Sequence, residues 1–254
     1  LKAAGKTVWL GGNIGTPLLP LCPQMKDTDY AVVELSSFQL MDMERSAQRA
    51  VITNLSPNHL DVHKDMDEYI EAKKNVYKFQ NADGLLVVNA DNAITAPLLG
   101  NGETRYFSRQ SKPENGTYLE NGVIYRVKNG VSQEVMPMET ILLPGIHNVV
   151  NALAATASCI SLGIKPNAVK YGLAGFNGAG RRFEYKGMVK GAKVYDDYAH
   201  HPSELKALLN MASSLGYKRV ICAFQPHTYT RTHALFDEFA EVLRGADKVF
   251  LAEI

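Results

Sequence analysis

The sequence predicts an α/β protein: a parallel, doubly wound sheet carrying a small antiparallel sheet, followed by a partial second α/β domain. Three observations predict it. Short apolar runs alternate with helical patterns in both halves. A middle stretch, 103–143, switches to short alternating runs punctuated by ENG and KNG turns. The apolar runs end in polar clusters, where α/β folds place their ligands.

Each element has its own signal. KTVWLGG (6–12), YAVVELSSF (30–38), RAVITNLS (49–56) and GLLVVNAD (84–91) read as strands, and MDEYIEAKKNVYKFQ (66–80) as a helix. LLPGIHNVVNALAATASCISLGI (142–164) opens a helix with Asn148 as its expected cap. KPNAVKYGLAGF (165–176) is a second helix, with Pro166 in its first turn and Gly175 at its stop. NGAGRR (177–182) is a glycine-rich joint, which divides the chain into expected domains 1–180 and 181–254. Beyond it, runs at 191–202, 218–232 and 248–254 predict a three-stranded parallel sheet. Helices are expected at 203–216, capped by Ser203, and at 233–246.

Composition narrows the function. The 254 residues hold 27 Lys plus Arg against 26 Asp plus Glu, a balance that argues against nucleic-acid or membrane-surface partners. No apolar run approaches the roughly 20 residues of a membrane span. Cys22, Cys159 and Cys222 are far apart and match no zinc spacing, so a reducing compartment, the cytoplasm, is expected, with a monomer favoured. GxSxG, HExxH, GxxxxGK[ST] and GxGxxG after the first strand are all absent. The chain opens on Leu1 and LKAAGKTVWLGGNIG reads as the middle of a domain, so a fragment is expected.

The candidate residues lie at strand ends. Glu34 closes an apolar strand, as a hydrogen-bond partner or as a metal ligand. His59 follows another strand in NLSPNHLD and shares its crevice if the two strands are neighbours. Asp61, Asp65, Asp67 and Glu68 read as caps and a solvated helix start. Lys73 and Lys74 form a solvated face, unless one of them turns inward to take up carbon dioxide as a carbamate, an oxygen donor suited to Mg²⁺. His147, Asn148 and Asn151 serve as capping groups or as contacts to a nucleotide. The 175–182 stretch is a hinge or a phosphate cradle, with Arg181 and Arg182 as donors. Asp196, Asp197, His200 and His201 form the densest polar cluster, with His227 and Arg231 in the next loop.

WLGGNIGTPLL (9–19), VELSSFQL (33–40), ITNLSPNHLD (52–61) and PGIHNVVNALAA (144–155) together resemble the Mur ligases, and the resemblance covers essentially the whole chain. That family uses ATP to join an amino acid to a UDP-linked muramoyl precursor of peptidoglycan. The first half is similar to members that add D-glutamate. RRFEYKG (181–187), YDDYAHHPSE (195–204) and FQPHTYTRT (224–232) resemble members that add L-alanine. Tyr198-Ala199 stand where a Ser-Lys pair usually follows in D-glutamate-adding enzymes, so the amino acid stays open.

The resemblance implies a P-loop-type central domain that lacks its P-loop and a partial Rossmann-like C-terminal domain. It implies ATP and Mg²⁺ as cofactors, and a UDP-muramoyl peptide precursor and an amino acid as partners. It assigns Glu34, His59 and carbamylated Lys73 to Mg²⁺, and Asn13, Ser36 and Gln39 to the UDP-muramoyl substrate. Asn148 and Asn151 would contact the nucleotide, Arg182 the γ-phosphate and Asp197 the ATP. His200, His227 and Arg231 would line the amino-acid site.

Overall fold

The computed structural model describes residues 1–56 and 63–254. The chain forms two compact units. One comprises Leu1–Leu142 with Ile146–Phe176, the other Leu143–Gly145 with Asn177–Ile254.

In the first unit β1 (Val8–Gly12) pairs in parallel with β2 (Tyr30–Glu34), setting Gly12 opposite Glu34. Gly12 has φ 103°, and a Cβ there would run into the Glu34 carbonyl, so this approach requires glycine. The short helix α1 (Ser37–Met41) follows. Then come β3 (Arg49–Ile52), α2 (Met66–Lys74), β4 (Leu85–Asn89), β5 (Glu103–Ser108), β6 (Gly116–Glu120), β7 (Val123–Lys128) and β8 (Val131–Pro137). β3 to β8 form one six-stranded sheet in sequence order, parallel from β3 to β6 and antiparallel from β6 to β8.

The expected antiparallel segment is therefore a continuation of the parallel sheet, and its first strand, β5, is itself parallel. Gly116 makes the β5–β6 junction possible: its φ is 139° and a Cβ would overlap the Tyr106 carbonyl. β4 is buried on both faces, as a central parallel strand should be. Leu85 and Val87 join Phe107, Ile124 and Met136 beneath α3 (Ile146–Ser161) and α4 (Pro166–Ala174). Leu86 and Val88 face Ala50, Ile52, Tyr69 and Tyr77 on the other side.

Two helix bounds differ from expectation. α2 stops at Lys74 because Asn75 turns its amide to the Leu40 and Met41 carbonyls, at 2.9 and 3.2 Å, while Ser46 bonds its carbonyl at 2.7 Å. Asn148 lies inside the first turn of α3 and is not its cap. Asp65 does cap α2, accepting from the Glu68 N–H at 2.9 Å.

The second unit departs further. β9 (Glu184–Val189) and β10 (Ala192–Asp196) form an antiparallel hairpin, and only β11 (Ile221–Phe224) and β12 (Lys248–Leu251) pair in parallel. The expected three-stranded parallel sheet is not formed. Lys190 and Gly191 both take positive φ, 47° and 83°, the turn that matches the twist of a hairpin and ties β10 to β9. Between β10 and β11 lies α5 (Pro202–Ser214). It is capped by His201, whose ring nitrogen accepts from the Ser203 N–H, and not by Ser203. The last helical stretch is two helices, α6 (Tyr229–Ala234) and α7 (Phe236–Leu243), divided at Leu235, which packs on a small core of Leu205, Phe224, Phe239 and Leu243.

Candidate functional site

The end of β2 gathers part of the expected set. The Asn13 N–H donates to the Glu34 carbonyl at 2.8 Å and its side-chain amide to Glu34 Oε1 at 3.1 Å, so the β1–β2 register fixes both. Lys73 turns inward from α2 and donates from Nζ to the Leu35 carbonyl at 3.2 Å. Burial holds its ammonium below the ordinary lysine value, while the Glu34 carboxylate pulls it partly back. Lys74 points out and pairs with Glu71 at 2.6 Å.

Ser36 and Gln39 engage each other first. The Ser36 hydroxyl accepts from the Gln39 N–H at 3.2 Å, and Gln39 Oε1 accepts from the Ser36 N–H at 2.9 Å. This is a capping box, and the S-x-x-Q spacing in the sequence is its signal. The Gln39 amide nitrogen takes no part in this box.

β2 and β3 belong to different sheets, so hydrogen bonding does not make them the neighbours that a Glu34–His59 pair was expected to need. His59 and Asp61 lie outside the described residues. Among the described residues no group of three His, Cys, Asp or Glu side chains gathers to hold a metal. A hard cation prefers oxygen donors, and the end of β2 supplies one, the Glu34 carboxylate. Burial weakens the hold of Lys73 on its proton.

A second feature lies at the carboxyl ends of β3 and β4. A cleft of about 400 Å³ is lined by Asn54, Asn89, Asp91, Arg109, His147 and Asn151 among others. Asn89 is buried and donates to Asn54 Oδ1 at 2.8 Å, while its own Oδ1 accepts from the Asp91 N–H at 2.9 Å. Asp91 in turn accepts from the Ser108 hydroxyl at 2.5 Å and the Arg109 N–H at 2.8 Å. Several amides, one acid and one guanidinium around a concave wall suit a planar heterocycle with both donors and acceptors. Asn151 lines this cleft. Asn148 does not line the cleft, and its amide lies 3.2 Å from His147 Nε2. Asn54 and Asn89 were not singled out from the sequence, although both stand where strands end.

The second unit holds its own polar cluster. Asp197 accepts from the Phe183 N–H at 2.7 Å and the Ala199 N–H at 2.8 Å, so its carboxylate organises the backbone on both sides of the β9–β10 hairpin. Arg181 lies with its guanidinium 4.5 Å from the Tyr198 ring centre, while the side chain of Arg182 is exposed. His200 bonds the Tyr198 carbonyl through Nδ1 at 2.8 Å, and its ring lies 6.2 Å from that of His227. Arg231 sits in the first turn of α6. The two histidine-bearing loops are thus brought together within this unit.

Comparison with known proteins bears on both units. Residues 1–159 match the Mur ligase middle domain, and 181–253 the Mur ligase, glutamate ligase domain. A UDP-N-acetylmuramoylalanine–D-glutamate ligase of Acetivibrio thermocellus is 43% identical over 213 residues, 83% of this chain and 46% of that protein. A UDP-N-acetylmuramate–L-alanine ligase of Clostridium novyi is 36% identical over 261 residues, 98% of this chain and 54% of that protein. The chain thus spans about half the length of the curated relatives it matches. The MurF ligase of Thermotoga maritima, solved in complex with ADP, superposes with a TM-score of 0.67 over 97% of this chain and 60% of its own, at 18% identity, which shows the fold alone. With its middle-domain match covering well over half of its residues, the chain belongs to the Mur ligase family.

Proposed function

We propose that this chain carries the nucleotide- and metal-handling part of an ATP-dependent amide ligase that adds D-glutamate to UDP-N-acetylmuramoyl-L-alanine. The observation that carries the reading is Lys73, inward-facing and depressed in basicity beside Glu34, on a chain 43% identical to a D-glutamate ligase. In its neutral form the Nζ lone pair attacks the carbon of carbon dioxide and an N–H proton passes to water, leaving a carbamate. The remaining N–H can keep its bond to the Leu35 carbonyl. Glu34, His59 and that carbamate would hold Mg²⁺, which when bound neutralises charge on phosphoryl oxygens.

The remaining residues have positional work. Asn151, Asn54 and Asn89 offer amide groups to the base of ATP, while Asn148 stands outside the cleft lining. Asn13 and the amide nitrogen of Gln39 can donate to the UDP-muramoyl precursor, while Ser36 acts through the cap it forms. Transfer of the γ-phosphoryl to the precursor's carboxylate gives an acyl phosphate and ADP. The amine of the amino acid then displaces phosphate. Arg182 would steady the transferring phosphoryl group. Asp197 would act in ATP binding by holding the 181–183 backbone, and His200, His227 and Arg231 would receive the incoming amino acid's carboxylate.

One observation favours a second reading, addition of L-alanine to UDP-N-acetylmuramate: that relative aligns over 98% of the chain, including both histidine-bearing loops. A graft tests the two. The chain replaces its matched stretch in the Acetivibrio thermocellus ligase, and incorporation of labelled D-glutamate or L-alanine is measured with each acceptor and Mg-ATP. Incorporation of D-glutamate, abolished by Glu34→Ala, is expected. L-alanine alone would move the reading to the second enzyme, and incorporation of neither, by a folded graft, would sink the ligase reading.

A further inference from the structure

A buried imidazole near the end of β2 is used by none of the roles above. His63 is 2% exposed, and its Nε2 lies 2.9 Å from the hydroxyl of Ser37, itself 1% exposed. The ring is stacked on Phe38 at 5.5 Å and 6°, and meets the Tyr69 ring edge-on at 5.3 Å. Nδ1 has no hydrogen-bond partner among the described residues, but the Glu68 carboxylate lies 3.7 Å away. Nε2 and the Ser37 hydroxyl therefore make the one hydrogen bond of this ring among the described residues.

The order carboxylate, imidazole, hydroxyl is that of an activated nucleophile. Burial excludes that role, because the Ser37 hydroxyl is sealed and does not line the cleft. A polar pair this deeply buried acts instead through the geometry it enforces. Ser37 is the first residue of α1, directly after the Ser36 cap and three residues from Glu34. His63 stands two residues before the α2 cap, Asp65. One turn into α2, Tyr69 packs on the His63 ring, and one turn further Lys73 bonds the Leu35 carbonyl. The β2–α1 turn is therefore held to α2 at two polar points, Leu35 to Lys73 and Ser37 to His63, with aromatic rings between them.

We propose that His63 is a positioning residue: its hydrogen bond to the Ser37 hydroxyl locks the turn that carries Glu34 against the helix that carries Lys73. The consequence for metal binding rests on the Glu34–Lys73 reading above, whereas the lock itself does not. Two substitutions separate the hydrogen bond from the ring. Glutamine reaches the position of Nε2 and can still bond Ser37; asparagine reaches only the position of Nδ1. Both lose the aromatic stacking equally.

Hydrogen–deuterium exchange at the Ser36 and Gln39 amides, which the cap protects, reads the lock. Binding of Mn²⁺, followed by electron paramagnetic resonance on the 254-residue chain, reads its effect on the site. In His63→Asn and in the milder Ser37→Ala, exchange is expected to rise and Mn²⁺ affinity to fall, each about tenfold, the effect of one buried hydrogen bond. His63→Gln stays within about twofold of the parent, and the Ser37→Ala/His63→Asn pair adds little to either single change. Equal exchange in the Asn and Gln variants overturns the lock, and faster exchange with unaltered Mn²⁺ affinity overturns its consequence for metal binding. If Glu34→Gln leaves Mn²⁺ binding untouched, the metal reading fails, and the exchange comparison alone then decides the lock.

Discussion

Replacing Asn89 by alanine should damage both the larger unit and its cleft. The side chain makes two hydrogen bonds, to Asn54 Oδ1 at 2.8 Å and from the Asp91 N–H at 2.9 Å, at the end of a strand buried on both faces. Each such bond contributes about 1 kcal/mol net, and an orphaned buried donor costs about 1 kcal/mol more. The Asn54 oxygen is exposed enough to recover water, so the Asp91 N–H carries most of that additional cost. The sum is about 2–3 kcal/mol. For a unit of this size, about 2–4 °C per kcal/mol places the loss in melting temperature at about 4–12 °C. Urea unfolding with an unchanged slope, followed by circular dichroism, measures it; under the proposed nucleotide role of the cleft, calorimetric titration with Mg-ATP should show weakened binding. Asn89→Asp keeps the acceptor for Asp91 and should fall between parent and alanine. A loss below about 0.5 kcal/mol in the alanine variant would refute the idea that this amide organises the cleft wall.

Three further outcomes follow from the same geometry. Ser36→Ala removes the reciprocal cap of α1 and should cost about 1 kcal/mol by urea titration. Lys73 binds its proton less tightly folded than unfolded, so the unfolded chain holds more protons as pH rises toward the lysine value of 10.5. Stability conferred at this position therefore increases with alkalinity, and Lys73→Met should flatten that limb of a stability–pH curve; an unchanged limb contradicts the burial argument. In the second unit the Tyr195 hydroxyl is pushed up to about 12, first by its 2.9 Å hydrogen bond to Tyr217 and then by burial. Tyr217→Phe should lower it, as read by ultraviolet titration of tyrosinate.

Much of the first unit can be read from residues alone, because its signals are local. LLVV flanked by Gly84 and Asn89 identifies a doubly buried strand, and the structure buries each of the four almost completely. The strand-end rule that points to Glu34 applies equally to Asn89, which closes β4. Ser36 and Gln39 carry a further signal: their S-x-x-Q spacing is that of a helix cap, and the structure forms it. What the sequence hides is pairing. Nothing in GAKVYDD distinguishes a parallel strand from one arm of a hairpin, and the Lys190-Gly191 turn decides it through backbone angles. His63 carries no pattern at all, since its importance comes from rings and a hydroxyl up to 26 residues away in sequence.

α3 does two jobs along one rod. Its first turns reach the cleft through His147 and Asn151, while Leu153 and Ala157 are sealed in the core a turn or two later. Whatever fills the cleft therefore braces a member on which the packing of the whole sheet depends, and occupancy is converted into resistance to heat. A dye-based melting screen of nucleotides and their fragments can accordingly rank occupants of the cleft without any turnover assay.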